Sequence, residues 1–165
     1  MARALIVGCG CRGCELGSGL RAAGWEVRGT TRRLAGVDRI EAAGIEAVVA
    51  DPDRLLTVID QLEGVSLVYW LLASARGAPE AVAALHGPRL ARLLEEIVDT
   101  PVRGFVYEAE GDAPAELVAA GAAIVREAGA RWRIPVEVVA SGPSDGIAWR
   151  ERMLSAADRL TAPGR

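Results

Sequence analysis

The sequence predicts a single α/β domain: a doubly wound parallel sheet of about six strands with helices on both faces. Three observations predict it. Short apolar runs alternate with helical patterns along all 165 residues, with glycine or proline at the joints. The first run, Ala4-Leu5-Ile6-Val7, is too uniformly apolar for a one-sided strand and reads as a strand buried on both faces. Strands joined through helices require right-handed crossovers and hence a parallel sheet. The expected strand order for that class is 3-2-1-4-5-6.

Each element has its own signal. After the first strand a helix is expected from about Gly13 to Ala23, stopped by Gly24. Trp25 to Gly29 reads as the second strand. A short helix presents Leu34, Val37, Ile40 and Ala43 on one face and ends at Gly44, and Ile45 to Ala50 is the third strand. Asp51-Pro52 opens a helix striped by Leu55, Leu56, Ile59 and Leu62, and Val65 to Leu72 is a strong fourth strand. Helical sequence from about Pro79 to Val98 is interrupted at Gly87-Pro88. Val102 to Tyr107 is the fifth strand, Pro114 opens a helix to about Ala128, and Pro135 to Ala140 is the sixth strand. Trp149, Met153, Ala156 and Leu160 stripe a final amphipathic helix, whose apolar side is expected to pack in the core, with a dimer helix as the second reading; Tyr69 and Trp70 are expected in the core.

Composition narrows the function. The chain is 51% hydrophobic and 25% charged, enough to bury a core, and its length and uniform composition lead us to expect one domain over residues 1–165, with no separate substrate domain. A net charge of −3 gives no electrostatic case for nucleic acid or an anionic membrane. All 19 basic residues are arginine. The absence of lysine excludes Schiff-base chemistry, a Walker lysine and a lysine-assisted tyrosine. No apolar run is long enough to span a bilayer, and the N-terminus lacks the pattern of a signal peptide, so a cytoplasmic location is expected. Three cysteines, Cys9, Cys11 and Cys14, within six positions form no disulfide framework.

The most informative segment is Gly8-Cys9-Gly10-Cys11-Arg12-Gly13, a G-x-G-x-x-G after a buried strand and at the mouth of a helix. Gly8 permits a tight turn, Gly10 lets backbone approach a pyrophosphate, and Gly13 lets the helix pack close to the strand. The helix N-terminus then offers free N–H groups and partial positive charge to phosphates. An NAD site usually carries an acidic residue at the end of the second strand. Here that position reads Gly29-Thr30-Thr31-Arg32-Arg33. Arg32 and Arg33, with a hydroxyl from Thr30 or Thr31 and with Arg12 as a second candidate, suit a 2′-phosphate and favour NADP over NAD.

On these residues, on Asp51, on Val65 to Ala75, on Val102 to Tyr107 and on Ser141-Gly142-Pro143, the chain over about residues 3 to 145 resembles an atypical short-chain dehydrogenase/reductase, near the epimerase/dehydratase-like and NmrA-like branches. The resemblance implies a Rossmann cofactor domain in which Asp51 lies by the adenine. It places Leu72, Ala73, Ser74 and Ala75 by the nicotinamide, and the turn at Ser141 leads toward the substrate region. The departures are as informative. Active members pair a tyrosine with a lysine four residues on and use a serine near the end of the fifth strand; this chain has no lysine and reads Tyr107-Glu108-Ala109-Glu110 there. It also stops near where a substrate-binding subdomain usually continues.

The remaining candidates have competing readings. The C-x-C-x-x-C cluster is a set of small residues beside phosphate, a redox-active group or a metal site. Tyr107 is a catalyst or a packed strand-end residue. Glu108 and Glu110 are general bases at the strand's carboxyl end or solvated loop acids. His86 is expected at a cap or on the surface. Three functions follow: a dinucleotide-binding or sensing module, an oxidoreductase or epimerase using Tyr107 or Glu108 on a small-molecule substrate, and an oligomeric structural protein. Alanine-rich helices over 88–98 and 114–128 are the expected homodimer surface.

Overall fold

A computed structural model of the chain describes residues 2–141 and 145–163. Six strands, β1 (Arg3–Val7), β2 (Glu26–Thr31), β3 (Glu46–Val49), β4 (Leu67–Trp70), β5 (Gly104–Glu108) and β6 (Val136–Val139), form one sheet in the order β3-β2-β1-β4-β5-β6. Every neighbouring pair is parallel. Fold class and strand order are those the sequence predicts.

Side chains alternate across the sheet because successive Cβ atoms of a strand point to opposite faces. On one face Leu5, Val7, Val68, Trp70, Phe105 and Tyr107 meet α4 (Pro79–Leu85), α5 (Pro88–Glu96) and α6 (Ala115–Trp132). On the other Ala4, Ile6, Tyr69 and Val106 meet α1 (Cys11–Ala22), α2 (Val37–Ala42) and α7 (Gly146–Thr161). Ala4 to Val7 are fully buried, as a central strand covered on both sides requires. Each such Leu, Ile or Val contributes about 1.5–3 kcal/mol relative to exposure. Tyr69, Trp70, Trp149 and Met153 lie in these cores as expected.

Some local expectations change. The helix after β3 contracts to α3 (Leu56–Ile59), with Val58 rather than Leu56 turned inward. Leu34 is exposed, because its segment forms a 3-10 turn ahead of α2 and so rotates out of the apolar stripe. The strand β5 continues to Glu108. Gly87-Pro88 separates α4 from α5 as expected. No described helix is long and apolar enough to cross a membrane.

Candidate functional site

The carboxyl ends of β1, β2 and β4 open into a cleft of about 480 Å³ lined by the whole loop Gly8–Gly13 and by Thr30 to Arg33, with Ser74 and Glu108 at its other side. This is where the strand order reverses, the usual ligand position of an open α/β sheet. The loop is held from below. The Gly8 amide donates to Thr30 Oγ1 (3.1 Å) and the Cys9 amide to the Thr30 carbonyl (2.9 Å). Gly8 sits at φ +83°, and a Cβ there would lie 2.6 Å from the Leu71 carbonyl oxygen, so the turn requires glycine. A Cβ on Gly13 would press on Cys9 and Ile6, the close helix–strand contact expected. A Cβ on Gly10 meets nothing within 4 Å: that side of the loop is open. Gly10 caps α1 without a side-chain bond, so the first-turn amides of Cys11, Arg12 and Gly13 have no helical acceptor.

The arginines divide into two sets. Arg32 pairs with Asp51 (3.8 Å) and Asp53 (3.4 Å), and Asp53 is shared with Arg89 of α5 (3.4 Å). Arg12 donates from Nη2 to Glu108 Oε2 at 2.6 Å and stacks 4.6 Å above the Trp149 ring. Two of the three arginines expected for a phosphate, Arg12 and Arg32, therefore already hold carboxylates. Arg33 lines the same cleft, as do Arg39 of α2 and Arg76, and these three make no ion pair among the described residues. Thr31 also lines it, its hydroxyl donating to the Arg33 carbonyl (3.1 Å). Arg39 and Arg76 were not anticipated. Arg39 is exposed on α2 next to the buried Ile40, outside the apolar stripe, which was the available signal.

Two expected contributors sit behind the wall. Asp51 does not line the cleft, though Ala50 and Pro52 do; it accepts the Asp53 amide (2.9 Å) and faces Arg32. Ala73 is fully buried, its amide 3.3 Å from Glu108 Oε1 and its carbonyl accepting from Ala113 (2.8 Å). Ser74 does line the cleft, and its Oγ accepts the Asp112 amide at 3.1 Å.

The two catalytic candidates part company at the end of β5: Glu108 lines the cleft and Tyr107 does not. Tyr107 is fully buried on the α6 face, outside the cleft. Its hydroxyl lies 2.6 Å from His86 Nδ1 and 3.2 Å from the Val118 carbonyl. A carbonyl only accepts, so His86 Nε2–H donates to the Leu72 carbonyl (3.1 Å) and Nδ1 accepts from Tyr107. Burial drives the Tyr107 pKa up and the His86 pKa down, which keeps both neutral. His86, expected at a cap or on the surface, is 1% exposed for this reason: both ring nitrogens have partners inside. Glu108 is neither solvated nor in a loop. It ends β5 at 3% exposure, and Trp149 Nε1–H donates to its Oε2 at 3.0 Å. Glu110 is exposed.

Cys11 is exposed at the start of α1, whereas Cys9 and Cys14 are buried with their sulfurs 4.0 Å apart. Burial, with Cys14 alongside, pushes the Cys9 thiol up, so it packs as a small neutral group under Gly29. The Ser141-Gly142-Pro143 turn falls partly outside the described residues; Ser141 itself is buried.

This is a Rossmann-type α/β fold, with a cleft at the carboxyl ends of its strands. No protein-family model matches the sequence, and no curated protein matches it. Solved structures do match the fold. A short-chain dehydrogenase/reductase superfamily protein from Agrobacterium tumefaciens, with bound NAD, superposes at a TM-score of 0.64 with 24% identity, over 84% of this chain and 48% of that one. UDP-glucuronic acid 4-epimerase from Bacillus cereus, in complex with NAD, gives 0.67 at 14% identity, over 85% of this chain and 56% of the other. An NAD+-bound xylitol dehydrogenase gives 0.70 at 16%, over 98% and 77%. The chain spans about half the length of the first two. The fold is therefore that of short-chain dehydrogenase/reductase and NAD-dependent epimerase structures.

Proposed function

We propose that the protein binds a nicotinamide dinucleotide in this cleft, NADP in preference to NAD, and acts as a cofactor-binding or sensing module. The observation that carries the reading is the open side of Gly10 above uncapped first-turn amides, room for a pyrophosphate against a helix N-terminus. The NAD in all three of the similar structures named above agrees with it. The preference for NADP rests on Arg33 and Arg39, the cleft arginines near the end of β2 that no carboxylate neutralises among the described residues.

A catalytic reading has less support. Tyr107 is buried away from the cleft, and Glu108 already accepts from Arg12, Trp149 and the Ala73 amide. We further propose a homodimer through α5 and α6, whose outer faces border a groove lined by Leu94, Ile124 and Trp132. Sedimentation showing only monomer at high concentration removes that part. Calorimetry with NADP, NADPH, NAD and NADH tests the main reading: the phosphorylated pair should bind about tenfold tighter or more. Arg33→Ser with Arg39→Ser should erase that difference, and Arg32→Ser should not. No binding of any of the four at millimolar concentration ends the reading.

A further inference from the structure

We propose that Glu108 is an internal anion standing in for a ligand phosphate on Arg12, so that a dinucleotide pyrophosphate and Glu108 compete for one guanidinium. The inference rests on the dinucleotide reading and adds a control to the same site. Arg12 lies in the first turn of α1, between Cys11 and Gly13, where a phosphate is expected. Its guanidinium is instead drawn across the cleft to the end of β5, 96 residues away in sequence.

That resting arrangement is incompletely satisfied. Arg12 Nη1 is buried with no hydrogen-bond partner among the described residues, although Nη2 is bound to Glu108. A buried donor left without an acceptor favours any arrangement that supplies one. The side chain as a whole is 30% exposed and lines the cleft, so it reaches solvent and ligand without unfolding its surroundings.

Glu108 can be left behind. The groups facing it are Arg12 from α1, the Trp149 indole from α7 and the Ala73 amide from the segment after β4; no other charge contacts it among the described residues. The indole and the amide keep the carboxyl in place after Arg12 departs. Burial already pushes this carboxyl up, and Arg12 is the largest influence pulling it back. Once Arg12 turns to a phosphate, a proton takes its place on Glu108. Binding at neutral pH is then the exchange of an Arg12–Glu108 ion pair for an Arg12–phosphate pair plus a protonated Glu108, with one proton taken up from solvent.

Calorimetry of NAD in buffers of different ionisation enthalpy counts that proton, and the NAD pyrophosphate keeps its charge over the range used. The wild type should take up a proton and bind more tightly as the pH falls from about 8 to 5. Glu108→Gln should bind about tenfold more tightly at pH 7 and lose both the uptake and the pH dependence. As a measurement that needs no variant, inorganic pyrophosphate titrated into the wild type should move the Trp149 indole N–H resonance, assigned from its through-space contacts in the wild type. Binding without proton uptake, or a folded Glu108→Gln protein with equal or weaker affinity, overturns the proposal and makes Glu108 a fixed brace for Arg12. If no dinucleotide binds, the reading of the cleft falls. The pyrophosphate titration then decides the inference alone: a shift sustains it and a silent indole overturns it.

Discussion

Replacing Gly10 by alanine separates ligand binding from folding. Gly10 has φ −81° and ψ −157°, an extended conformation open to any residue, and a Cβ there meets no atom within 4 Å. Alanine should therefore fold at least as well, with a gain of about 0.4–1 kcal/mol from the restricted unfolded chain. The methyl group projects into the space assigned to the pyrophosphate. It would hold a phosphate oxygen away from the first-turn amides, and each charge-assisted bond lost costs about 1.5–3 kcal/mol. One such loss weakens binding roughly tenfold to a hundredfold. Urea unfolding and calorimetry with NADP, run on the same preparations, give both quantities. An alanine variant of undiminished stability that binds NADP as tightly as the wild type would show that no phosphate passes over Gly10.

Gly8→Ala should behave oppositely: its left-handed backbone alone costs about 1–3 kcal/mol, before the contact with the Leu71 carbonyl, and a lowered urea midpoint checks it. Tyr107→Phe removes the donor to His86 Nδ1 and should cost about 1–3 kcal/mol while leaving NADP affinity unchanged; a matching drop in affinity would return Tyr107 to the site. Gly121→Ala places a Cβ against the Tyr107 hydroxyl and should destabilise the protein by a penalty that Tyr107→Phe partly relieves, so a double-mutant cycle that comes out additive contradicts the packing. The folded pKa of His86 is depressed, so the unfolded chain binds its proton first, and stability should fall as the pH drops below the ordinary histidine value of 6.5. Glu108, whose pKa is raised, contributes with the opposite sign, so the check is the difference in pH slope between wild type and His86→Gln.

The fold was legible because periodicity depends on neighbours along the chain. Ala4 to Val7 declares a doubly covered strand without reference to anything distant, and the glycine loop that follows declares its turn by spacing. Side-chain allegiance was not legible, because it depends on partners far away in sequence. Glu108 looked like the first polar residue past an apolar run. Its burial becomes tolerable only through Arg12, Trp149 and the Ala73 amide, brought together by α1, α7 and the end of β4. Arg32 and Arg33 are adjacent and chemically alike. What distinguishes them is Asp51 and Asp53 beyond β3, which claim Arg32 and leave Arg33 facing the cleft.

Tyr107 and Glu108 show how one residue of register decides what a strand end can do. Consecutive side chains on β5 go to opposite faces. Tyr107 follows Phe105 toward α6, where Gly121 makes room for its ring, and Glu108 follows Val106 toward α1 and α7. A hydroxyl placed as Tyr107 is reaches His86 but no ligand in the cleft. A carboxylate placed as Glu108 is faces the cleft, and there it meets Arg12, the cationic side chain of the loop Gly8–Gly13. The strand end thus presents a charge in balance with the loop rather than a hydroxyl poised to move a proton. On the proposal above, an anion that enters the loop and takes Arg12 disturbs that balance, and occupancy of the cleft is then coupled to the protonation of Glu108.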